Sequence, residues 1–425
     1  MDERRRSGFK QRTRLAVALG ALDESVAPVK RTETMPASGA VGRVLADPVT
    51  ARRPVPHYDS VAVDGYAVVA EDTLDASERS PAVLGVATAA GRGRAVPVDS
   101  GEQVPSGADA VLGVEEATYR ETPIPTGRSG ADPGGSTAGA DPAGTVEVTT
   151  AVPSGENVTE TGGAVSEGET VYESGRRLRQ TDPSHLKGVG VGTVAVCQRP
   201  AVSVIPTGDG LVDADPDPGQ VVETDGLAVA GLVGRWGGAP TYRDAVADDR
   251  QSLRVALTRD LTRDVVVTTG GTASGERDLV PDVVSDLGEI EAHGLAIEPG
   301  HSAGVAVVRG VPVVMLPGSP AGCVVAATKL LRPAVKRAGR LPLDPHPSTE
   351  ARLDRKIASE LGVRTVSRVR LAERDGETVA NPSGTAGRGG SATATAADGW
   401  VVVSESREGI PAGEPVSIQH WEYEP

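Results

Sequence analysis

The stretch VVVTTGGTASGERD, residues 265–278, decides the fold of this chain. Three valines lead into two threonines and two glycines, and apolar residues resume directly after the stretch. This pattern predicts a buried parallel strand that ends in a glycine turn. Two further stretches repeat it, AVSVIPTGDG at 201–210 and VPVVMLPGSPAG at 311–322. In an open α/β sheet such turns meet in one crevice beyond the carboxyl ends of the strands, so we expect the ligand there.

Length and composition restrict the possible classes of protein. A chain of 425 residues is long for one domain, so we expect several. Aromatic residues make up 2% of the chain, so valine, leucine and alanine must fill the core. The net charge of −15 argues against nucleic acid as a partner. An acidic, lysine-poor surface is typical of adaptation to high salt, and an ordinary acidic cytosolic protein explains it equally well.

Targeting and redox signals are weak. Cys197 and Cys323 lie among apolar residues and have neither disulfide-framework nor metal spacing, which predicts two small core residues. The N-terminus MDERRRSGFKQRTR is charged, with no apolar stretch behind it, and no window approaches the length of a membrane span. We therefore expect a cytoplasmic protein that does not associate with a membrane.

The first half of the chain predicts a helix followed by short strands. Leucine or valine recurs at helical spacing after Thr13, which predicts an amphipathic helix with Thr13 as N-cap; these positions are Leu15, Leu19, Leu22 and Val26. Alternating patterns up to residue 117, punctuated by Asp59 and Asp64, predict a β-rich region. Residues 121–144 are small and polar without periodicity, which predicts a surface loop.

The second half alternates strands and helices and then returns to strands. Between residues 200 and 338, apolar positions at helical spacing separate the three valine-rich strands. The residues that form these helical patterns are Leu227, Ala230, Leu232, Val233 and Trp236 in one helix, and Leu253, Ala256, Leu257 and Leu261 in the next. This alternation predicts a three-layer α/β/α domain with a parallel sheet. Beyond residue 345, short strand patterns predict a small all-β domain.

The glycine turns favour binding of a phosphate or another oxyanion. Exposed backbone amides at such turns, followed by helix N-termini, form a positive concavity. None of the turns is a Walker A loop or a GxGxxG motif, so ATPase and dinucleotide dehydrogenase functions lose support. A single turn of this kind is usually only structural, and it is the presence of three that favours anion binding.

Four carboxylates follow the predicted strands or precede the predicted helices, namely Asp209, Asp248, Asp249 and Asp278. Mg²⁺ is typically held by one or two carboxylates together with substrate phosphates, and this set offers them. Each one alone is more often a helix cap or a surface charge. Asp278 follows the glycine pair most closely and is the best candidate. His301 lies in a glycine-flanked turn near the same crevice and is a candidate ligand contact.

Several motifs in order carry a family resemblance. The motifs are GRVLADPV, PVPHYDSVAVDGYAVV, VPSGADAVLGVEEA, PTGDGLV, VVVTTGGTASGERDLV, HGLAIEPG and VMLPGSPAGCVVAA. Together they resemble the molybdopterin molybdenumtransferases, the group that includes the gephyrin E domain. The match spans nearly the whole chain, and the order of the fragments makes it specific.

The resemblance implies a multi-domain α/β plus β architecture and a homodimer. The implied domains are a discontinuous α+β domain at 10–50 and 151–195, an inserted β-rich domain at 51–150, a molybdopterin-binding α/β domain at 200–338 and a C-terminal β-barrel at 345–425. The implied reaction inserts molybdate into adenylylated molybdopterin with Mg²⁺-dependent release of AMP. The implied partners include a molybdopterin adenylyltransferase and molybdoenzymes.

The resemblance also assigns roles position by position. Asp64, Asp249 and Asp278 match catalytic positions, and Asp64 and Asp278 are the implied metal contacts. His301, Arg368 and Ser391 match positions expected to contact molybdate. The implied substrate-binding residues are Asp59, Ser100, Thr207, Gly208, Asp209, Thr269, Gly270, Gly271, Gly275, Pro317, Gly318, Ser319 and Pro320.

Three replacements leave a second function open. Gly210 stands where the family has a glutamate, Ala164 where it has a carboxylate, and Glu298 where it has a lysine. Glu298 places a negative charge where molybdate is expected, and like charges a few ångströms apart cost about 1 kcal/mol or more. The chain is therefore either a working transferase or a catalytically impaired molybdopterin carrier or scaffold. An adenylyltransferase built on the α/β region alone would leave the other regions unused.

Overall fold

The computed structural model describes residue 9 and residues 11–121, 144–383 and 397–422, which form two compact units. The first unit contains the chain up to Glu33, Gly42–Ala46 and the chain from Ala195 onward. The second contains Thr34–Val41 and Asp47–Val194. All but the ends of the predicted loop 121–144 lies outside the described residues. The division into four domains stays a prediction.

A six-stranded sheet is the centre of the first unit. Its strands lie in the order Ala239–Tyr242, Ala201–Pro206, Val265–Thr269, Val311–Leu316, Gly304–Val308 and Glu289–His293. The first four are parallel, but Gly304–Val308 is antiparallel to both neighbours. The sheet is therefore mixed, not parallel throughout as the sequence predicts. A two-residue turn at Arg309 and Gly310, both with positive φ, joins two neighbouring strands as a hairpin.

Helices cover both faces of this sheet, which confirms the predicted three layers. Val265 and Val267 belong to one core and Val266 to the other, as the two-residue period of a strand requires. The helices on the first face are Leu15–Ser25, Asp225–Arg235, Pro320–Ala326 and Arg332–Ala338, with a π-helical stretch at Ala327–Leu331. The helices on the second face are Arg250–Asp260 and Val280–Leu287.

Two details of the predicted helices are wrong. The first helix begins at Leu15 without a side-chain cap. Thr13 instead donates its backbone N–H to the Gly294 carbonyl at 2.7 Å, so it belongs to a backbone bridge and does not cap the helix. In the helix Asp225–Arg235, the side chain of Leu227 is 60% exposed, because Val229 and Val233 of the same helix face the core.

The predicted C-terminal β-barrel is confirmed. Five strands close into a ring: Arg364–Arg374, Glu377–Pro382, Ser348–Leu353, Pro415–Gln419 and Gly399–Val403. Antiparallel pairing between the last of these strands and the first closes the ring. The apolar interior of the barrel includes buried Leu353, Val369, Ala380 and Ile418.

The second unit is β-rich, as predicted. Its sheet has the strand order Ala110–Gly113, Gly65–Val68, Arg94–Val98, Ala82–Val86, Gly144–Val148 and Ala117–Glu121. Two short antiparallel pairs and one helix accompany it: Ser60–Val61 with Val158–Thr159, Val49–Thr50 with Thr170–Tyr172, and the helix Asp182–Gly188. Asp59 and Asp64 flank the strand Ser60–Val61 and precede the strand Gly65–Val68.

The remaining elements are short. The strands are Thr32–Pro36, Thr193–Cys197, Leu211–Val212, Val221–Val222, Ile297–Glu298, Ile357–Ala358 and Gly409–Ile410, and three-residue or four-residue 3₁₀ helices cover Ala37–Gly39, Ala70–Thr73 and Val114–Glu116. Cys197 and Cys323 are both buried and free, which confirms them as core residues. In the described part of the chain, no helix has both the length and the apolar character needed to cross a membrane.

Candidate functional site

The three predicted glycine turns come together at one edge of the central sheet. Paired registers place Pro206 beside Thr269 and Thr269 beside Leu316, so the three strands end level with one another. The Thr207 N–H donates to the Thr269 carbonyl at 2.8 Å, and the Gly270 N–H donates to the Leu316 carbonyl at 3.0 Å. The turns are thus joined directly by backbone hydrogen bonds.

A cavity of about 230 Å³ opens between these turns. We call it the glycine pocket; its lining consists of Thr207, Leu211, Thr269, Gly270, Gly271, Gly318, Pro320 and the segment 221–225. Every predicted turn therefore contributes to one pocket. The wall at Gly270, Gly271 and Gly318 consists of backbone, which suits close approach of a phosphoryl group.

Glycine is required at the centre of this pocket. Gly270 and Gly271 have φ values of +91° and +63°. A Cβ atom on Gly270 would lie 2.5 Å from the Thr207 carbonyl oxygen, and one on Gly271 would lie 2.9 Å from the Val280 side chain. A larger residue would therefore both strain the backbone and separate the turns.

Other residues predicted to bind substrate adjoin the pocket. The Gly208 N–H donates to the Val246 carbonyl at 2.9 Å. Ser319 precedes the helix Pro320–Ala326 as its N-cap residue, directly after Pro317 and Gly318. The Gly275 N–H donates to Asp278 Oδ2 at 2.7 Å, so the Asp278 carboxylate holds its own turn closed.

Asp209 and Asp248 form a reciprocal pair at the ends of two turns. The Asp248 N–H donates to Asp209 Oδ1 at 2.8 Å, and the Asp209 N–H donates to Asp248 Oδ2 at 3.2 Å. Asp248 Oδ1 is buried and accepts no hydrogen bond from the described residues. A Cβ atom on Gly271 would lie 3.8 Å from this oxygen. A buried carboxylate oxygen without a partner therefore lies behind Gly271, which lines the glycine pocket.

The surroundings of Asp248 disfavour its charged form. Burial raises the pKa of Asp248, and the nearby carboxylates of Asp209 and Asp278 raise it further, against a backbone hydrogen bond from Asp209 and the charge of Arg277. A cation placed among these carboxylates would remove the repulsion. The family resemblance assigns the catalytic role to the adjacent Asp249, and Asp248 was predicted only as one of four carboxylates near the turns.

Asp249 serves as a helix cap. Its Oδ1 accepts from the backbone N–H groups of Gln251 and Ser252 at 3.0 and 2.9 Å, at the start of the helix Arg250–Asp260. Hydrogen bonding from Ser252 lowers the pKa of Asp249. This contact accounts for an aspartate at position 249 without any role in chemistry.

Three predicted residues of the second unit share a set of turns. Asp64 Oδ1 accepts from the Ser100 N–H at 2.7 Å, and the Ser100 hydroxyl donates to the Ala62 carbonyl at 3.1 Å. Asp59 Oδ1 accepts from both the N–H and the hydroxyl of Thr161 at 2.7 Å, and this hydroxyl contact lowers the pKa of Asp59. The structure thus brings Asp64 and Ser100 together on an exposed turn and gives Asp59 a turn-closing contact.

The residues predicted to contact molybdate have separate surroundings. His301 Nδ1 lies 3.1 Å from Glu298 Oε2, so a carboxylate already engages this imidazole. Arg368 lies in the barrel strand Arg364–Arg374 with 6% of its surface exposed, and burial lowers its pKa. Ser391 lies outside the described residues. The grouping of these three residues around an oxyanion stays a prediction.

Magnesium was predicted at Asp64 and Asp278. Within the described residues, no group of three or more histidine, cysteine or acidic side chains is arranged to hold a metal ion by itself. Mg²⁺ usually takes only one or two carboxylates and completes its shell with water and substrate phosphates. The unpartnered Oδ1 of Asp248 beside the glycine pocket fits that type of ligand set.

Sequence reasoning missed two acidic residues on the other wall of the glycine pocket. Glu223 is 9% exposed, and its oxygens accept from the Gly226 N–H at 2.6 Å and from the Tyr242 hydroxyl. Burial raises the pKa of Asp225 to about 6, with a smaller contribution from the charge of Glu223. The raised value is a sign of a partly desolvated carboxyl group.

We expect the substitution Asp225→Asn to stabilise the protein near neutral pH. Because the folded-state pKa of about 6 lies above the usual 3.8, protonated Asp225 favours the native state at low pH, and this advantage is lost as the pH rises through about 6. Urea unfolding near pH 7.5 should show a gain of about 1 to 3 kcal/mol, and the gain should vanish near pH 4. Asp375→Asn, in an exposed hairpin turn, is the matched control. Equal stability of Asp225→Asn and the natural protein near pH 7.5 would contradict the expectation.

Comparison with known proteins covers most of the chain. The family model of the MoeA N-terminal region (domain I and II) matches residues 13–190. A model described as a probable molybdopterin binding domain matches residues 203–337, and the MoeA C-terminal region (domain IV) matches residues 350–421. The three models follow one another in the order expected from the motifs.

Individual proteins agree with these matches. The Mycobacterium tuberculosis protein named molybdopterin molybdenumtransferase 2 is 28% identical over 82% of this chain and 85% of its own length. The Bacillus subtilis protein named molybdopterin molybdenumtransferase is 25% identical over 91% of this chain and 89% of its own length. The crystal structure of a molybdopterin biosynthesis MoeA protein from Pyrococcus horikoshii is 29% identical, covers 97% of this chain and 100% of its own, and superposes with a TM-score of 0.76. The matched models, the shared fold and the meeting of the glycine turns place this chain in the MoeA family.

Proposed function

We propose that this protein is a molybdopterin molybdenumtransferase of molybdenum cofactor biosynthesis, which inserts molybdate into adenylylated molybdopterin and releases AMP. The observation that carries the proposal is the glycine pocket, which forms where the three glycine turns meet. The named relatives support it. Location in the cytoplasm and exchange with an adenylyltransferase and with molybdoenzymes belong to the same proposal.

The glycine pocket is the proposed site of the pyrophosphate group. Gly270, Gly271 and Gly318 have no side chains, so phosphoryl oxygens can approach the backbone there closely. The carboxylates of Asp209, Asp248 and Asp278 would repel such an anion. Bound Mg²⁺ supplies the positive charge that neutralises the phosphoanhydride oxygens and polarises the bond that breaks. Asp248 and Asp278 are the residues of this unit proposed to hold it.

The proposal includes a homodimer and a role for the exposed Asp64. Asp64 lies on a turn whose shape is fixed by its bond to Ser100, so its second carboxylate oxygen is available. We assign Asp64 of the partner subunit to the metal and phosphate site, with Ser100 as its positioning neighbour. Light scattering checks the assembly, and a protein that remains monomeric at working concentration would remove this part of the proposal.

One observation favours a carrier or scaffold as the second candidate. The Glu298 carboxylate engages His301, the histidine predicted to contact molybdate. An imidazole held by a carboxylate is less available to an oxyanion, and the negative charge of Glu298 weakens oxyanion binding. A protein of this kind would bind molybdopterin without inserting the metal.

A single-turnover assay separates the two candidates. Purified protein is mixed with adenylylated molybdopterin, Mg²⁺ and molybdate, and AMP is followed by chromatography. A transferase releases AMP in proportion to the cofactor formed, and both products disappear when Mg²⁺ is chelated. Binding of the adenylylated substrate without AMP release would refute the transferase and favour the carrier.

A further inference from the structure

A second cavity of about 320 Å³ adjoins the glycine pocket. We call it the indole pocket because Trp421 lines it. One side is formed by the helix Asp225–Arg235 through residues that include Gly231 and Leu232, and the opposite side includes Val324. Its lining is mainly apolar, and the charged groups among the described residues that line it are Asp225, Arg235 and Glu422.

The two cavities share a wall. Thr224, Asp225 and Pro320 line both of them. A ligand that extends past this wall would have one part among the backbone amides of the glycine turns and another part among apolar side chains. The cleft therefore fits a molecule with a phosphoryl group at one end and a flat ring at the other.

Trp421 provides a fixed aromatic surface in the indole pocket. Its ring stacks on Trp400 with centroids 5.1 Å apart and planes 17° from parallel. Trp400 is itself 1% exposed and carries the Lys329 ammonium 5.2 Å from its ring centroid. Trp421 is itself 7% exposed, so it contributes an ordered edge to the wall of the cavity, and a ring that binds there does not have to order it.

The carboxylate of Asp225 is the polar group that would determine which type of ligand ring binds in the indole pocket. Within the described part of the chain, no group donates a hydrogen bond to its carboxylate, although the side chain is partly buried. Both oxygens of Glu223, by contrast, are occupied by Gly226 and Tyr242. A carboxylate accepts only, so the complementary ligand edge must present adjacent N–H groups. A 2-amino-4-oxopyrimidine ring presents N3–H and N2–H side by side, whereas adenine presents an acceptor beside its amino group.

We propose that the indole pocket binds the 2-amino-4-oxopyrimidine ring of a pterin, in contact with Trp421 and held by Asp225, while the glycine pocket binds the phosphoryl end of the same molecule. The inference rests on the proposed function, because that function supplies a ligand with both ends. It adds the subsite, the ring edge that is recognised and the residue that recognises it. Guanine carries the same edge, so the test includes a guanine nucleotide.

The first test places a leucine side chain in the indole pocket by replacing a glycine that lines it. A Cβ atom on Gly231 or on Gly234 meets no atom within 4 Å, and both residues lie inside the helix Asp225–Arg235. Gly231 lines the indole pocket, but Gly234 does not. Leucine at either position favours the helix, so both variants should fold at least as well as the natural protein. They form a matched pair that differs in whether the new side chain enters the cavity.

The probes are 6-hydroxymethylpterin, GMP and AMP, measured by quenching of tryptophan fluorescence and by calorimetry. Gly231→Leu should weaken binding of the pterin about 10-fold or more, while Gly234→Leu should leave it unchanged. AMP should bind both variants with equal affinity, because its phosphate lies in the glycine pocket and its adenine ring does not occupy the indole pocket. Equal pterin affinity of the two variants, or GMP affinity that falls no more than AMP affinity in Gly231→Leu, would overturn the assignment.

The second test changes only the ring-recognising group. Asp225→Asn presents an amide donor toward the N–H edge and should weaken pterin binding about 10-fold or more, with AMP binding unchanged. Asp375→Asn is again the control. Unaltered pterin binding by Asp225→Asn would contradict the role of this carboxyl. These binding tests are independent of the AMP-release assay. Intact pterin binding without AMP release would refute only the transferase function. AMP release by a protein whose indole pocket does not bind the pterin would refute only this inference.

Discussion

Asparagine in place of Asp64 is expected to lower AMP release by about 100-fold or more, with little change in stability. Asparagine keeps the Oδ1 atom that accepts from the Ser100 N–H, so the turn is preserved while the negative charge is lost. The measurement is single-turnover AMP release, accompanied by thermal unfolding. A variant that turns over normally would remove Asp64 from the mechanism.

The control for this substitution is Asp99→Asn. Asp99 is exposed and lies next to Ser100 on the same turn. The change in charge and shape is identical, so a general electrostatic effect on the exposed face would slow both variants. We expect Asp99→Asn to retain full activity. Comparable losses in the two variants would show that the effect belongs to the net charge of the turn.

The second large effect is expected from Asp248 and its neighbour. Asp248→Asn should lower AMP release by about 100-fold, because it removes the charge of the buried carboxylate that lies behind Gly271 and is proposed to hold Mg²⁺. The same substitution should raise stability near neutral pH, since the raised pKa of Asp248 shows that its ionised form is disfavoured in the native state. Lower activity together with higher stability is the signature of a functional residue.

The substitution Asp249→Asn tests whether Asp249, the neighbour of Asp248, takes part in the reaction or only caps a helix. Asparagine caps a helix about as well as aspartate, so the contacts to Gln251 and Ser252 should persist and activity should remain near that of the natural protein. Rates are compared at saturating Mg²⁺ and at limiting Mg²⁺. Loss of activity in Asp249→Asn with normal activity in Asp248→Asn would reverse the assignment made from the structure.

The glycine turns could be predicted because their signal is local. Each consists of a valine-rich strand that ends in small residues, and parallel strands must end at the same edge. The three layers and the all-β character of the C-terminal region follow from the same periodicities, whereas the barrel was implied only by the family resemblance. The antiparallel strand Gly304–Val308 was not predicted, because its direction depends on a two-residue turn at Arg309 and Gly310.

The chemistry of the site was harder to predict than its location. Asp248 and Asp249 are neighbours in sequence, and only the start of the helix Arg250–Asp260 decides which of them caps it. Asp225 carries no motif, and its raised pKa comes from burial that only tertiary structure creates. Asp59 was predicted to bind substrate only because of the family motif. In the structure its carboxylate accepts a hydrogen bond from Thr161, which closes a turn.

The helix Leu15–Ser25 packs into the same core as the last helix of the α/β region. Its neighbours there include Ala338, whose carbonyl accepts from the Val29 N–H at 2.8 Å. During synthesis this helix leaves the ribosome long before the elements it packs against, so the apolar face of Leu15 and Leu22 stays exposed until residues beyond 330 emerge. The β-rich second unit is complete much earlier, so it should fold while the first unit is still open. The nascent chain therefore has an extended interval in which a chaperone that recognises apolar helices has a substrate.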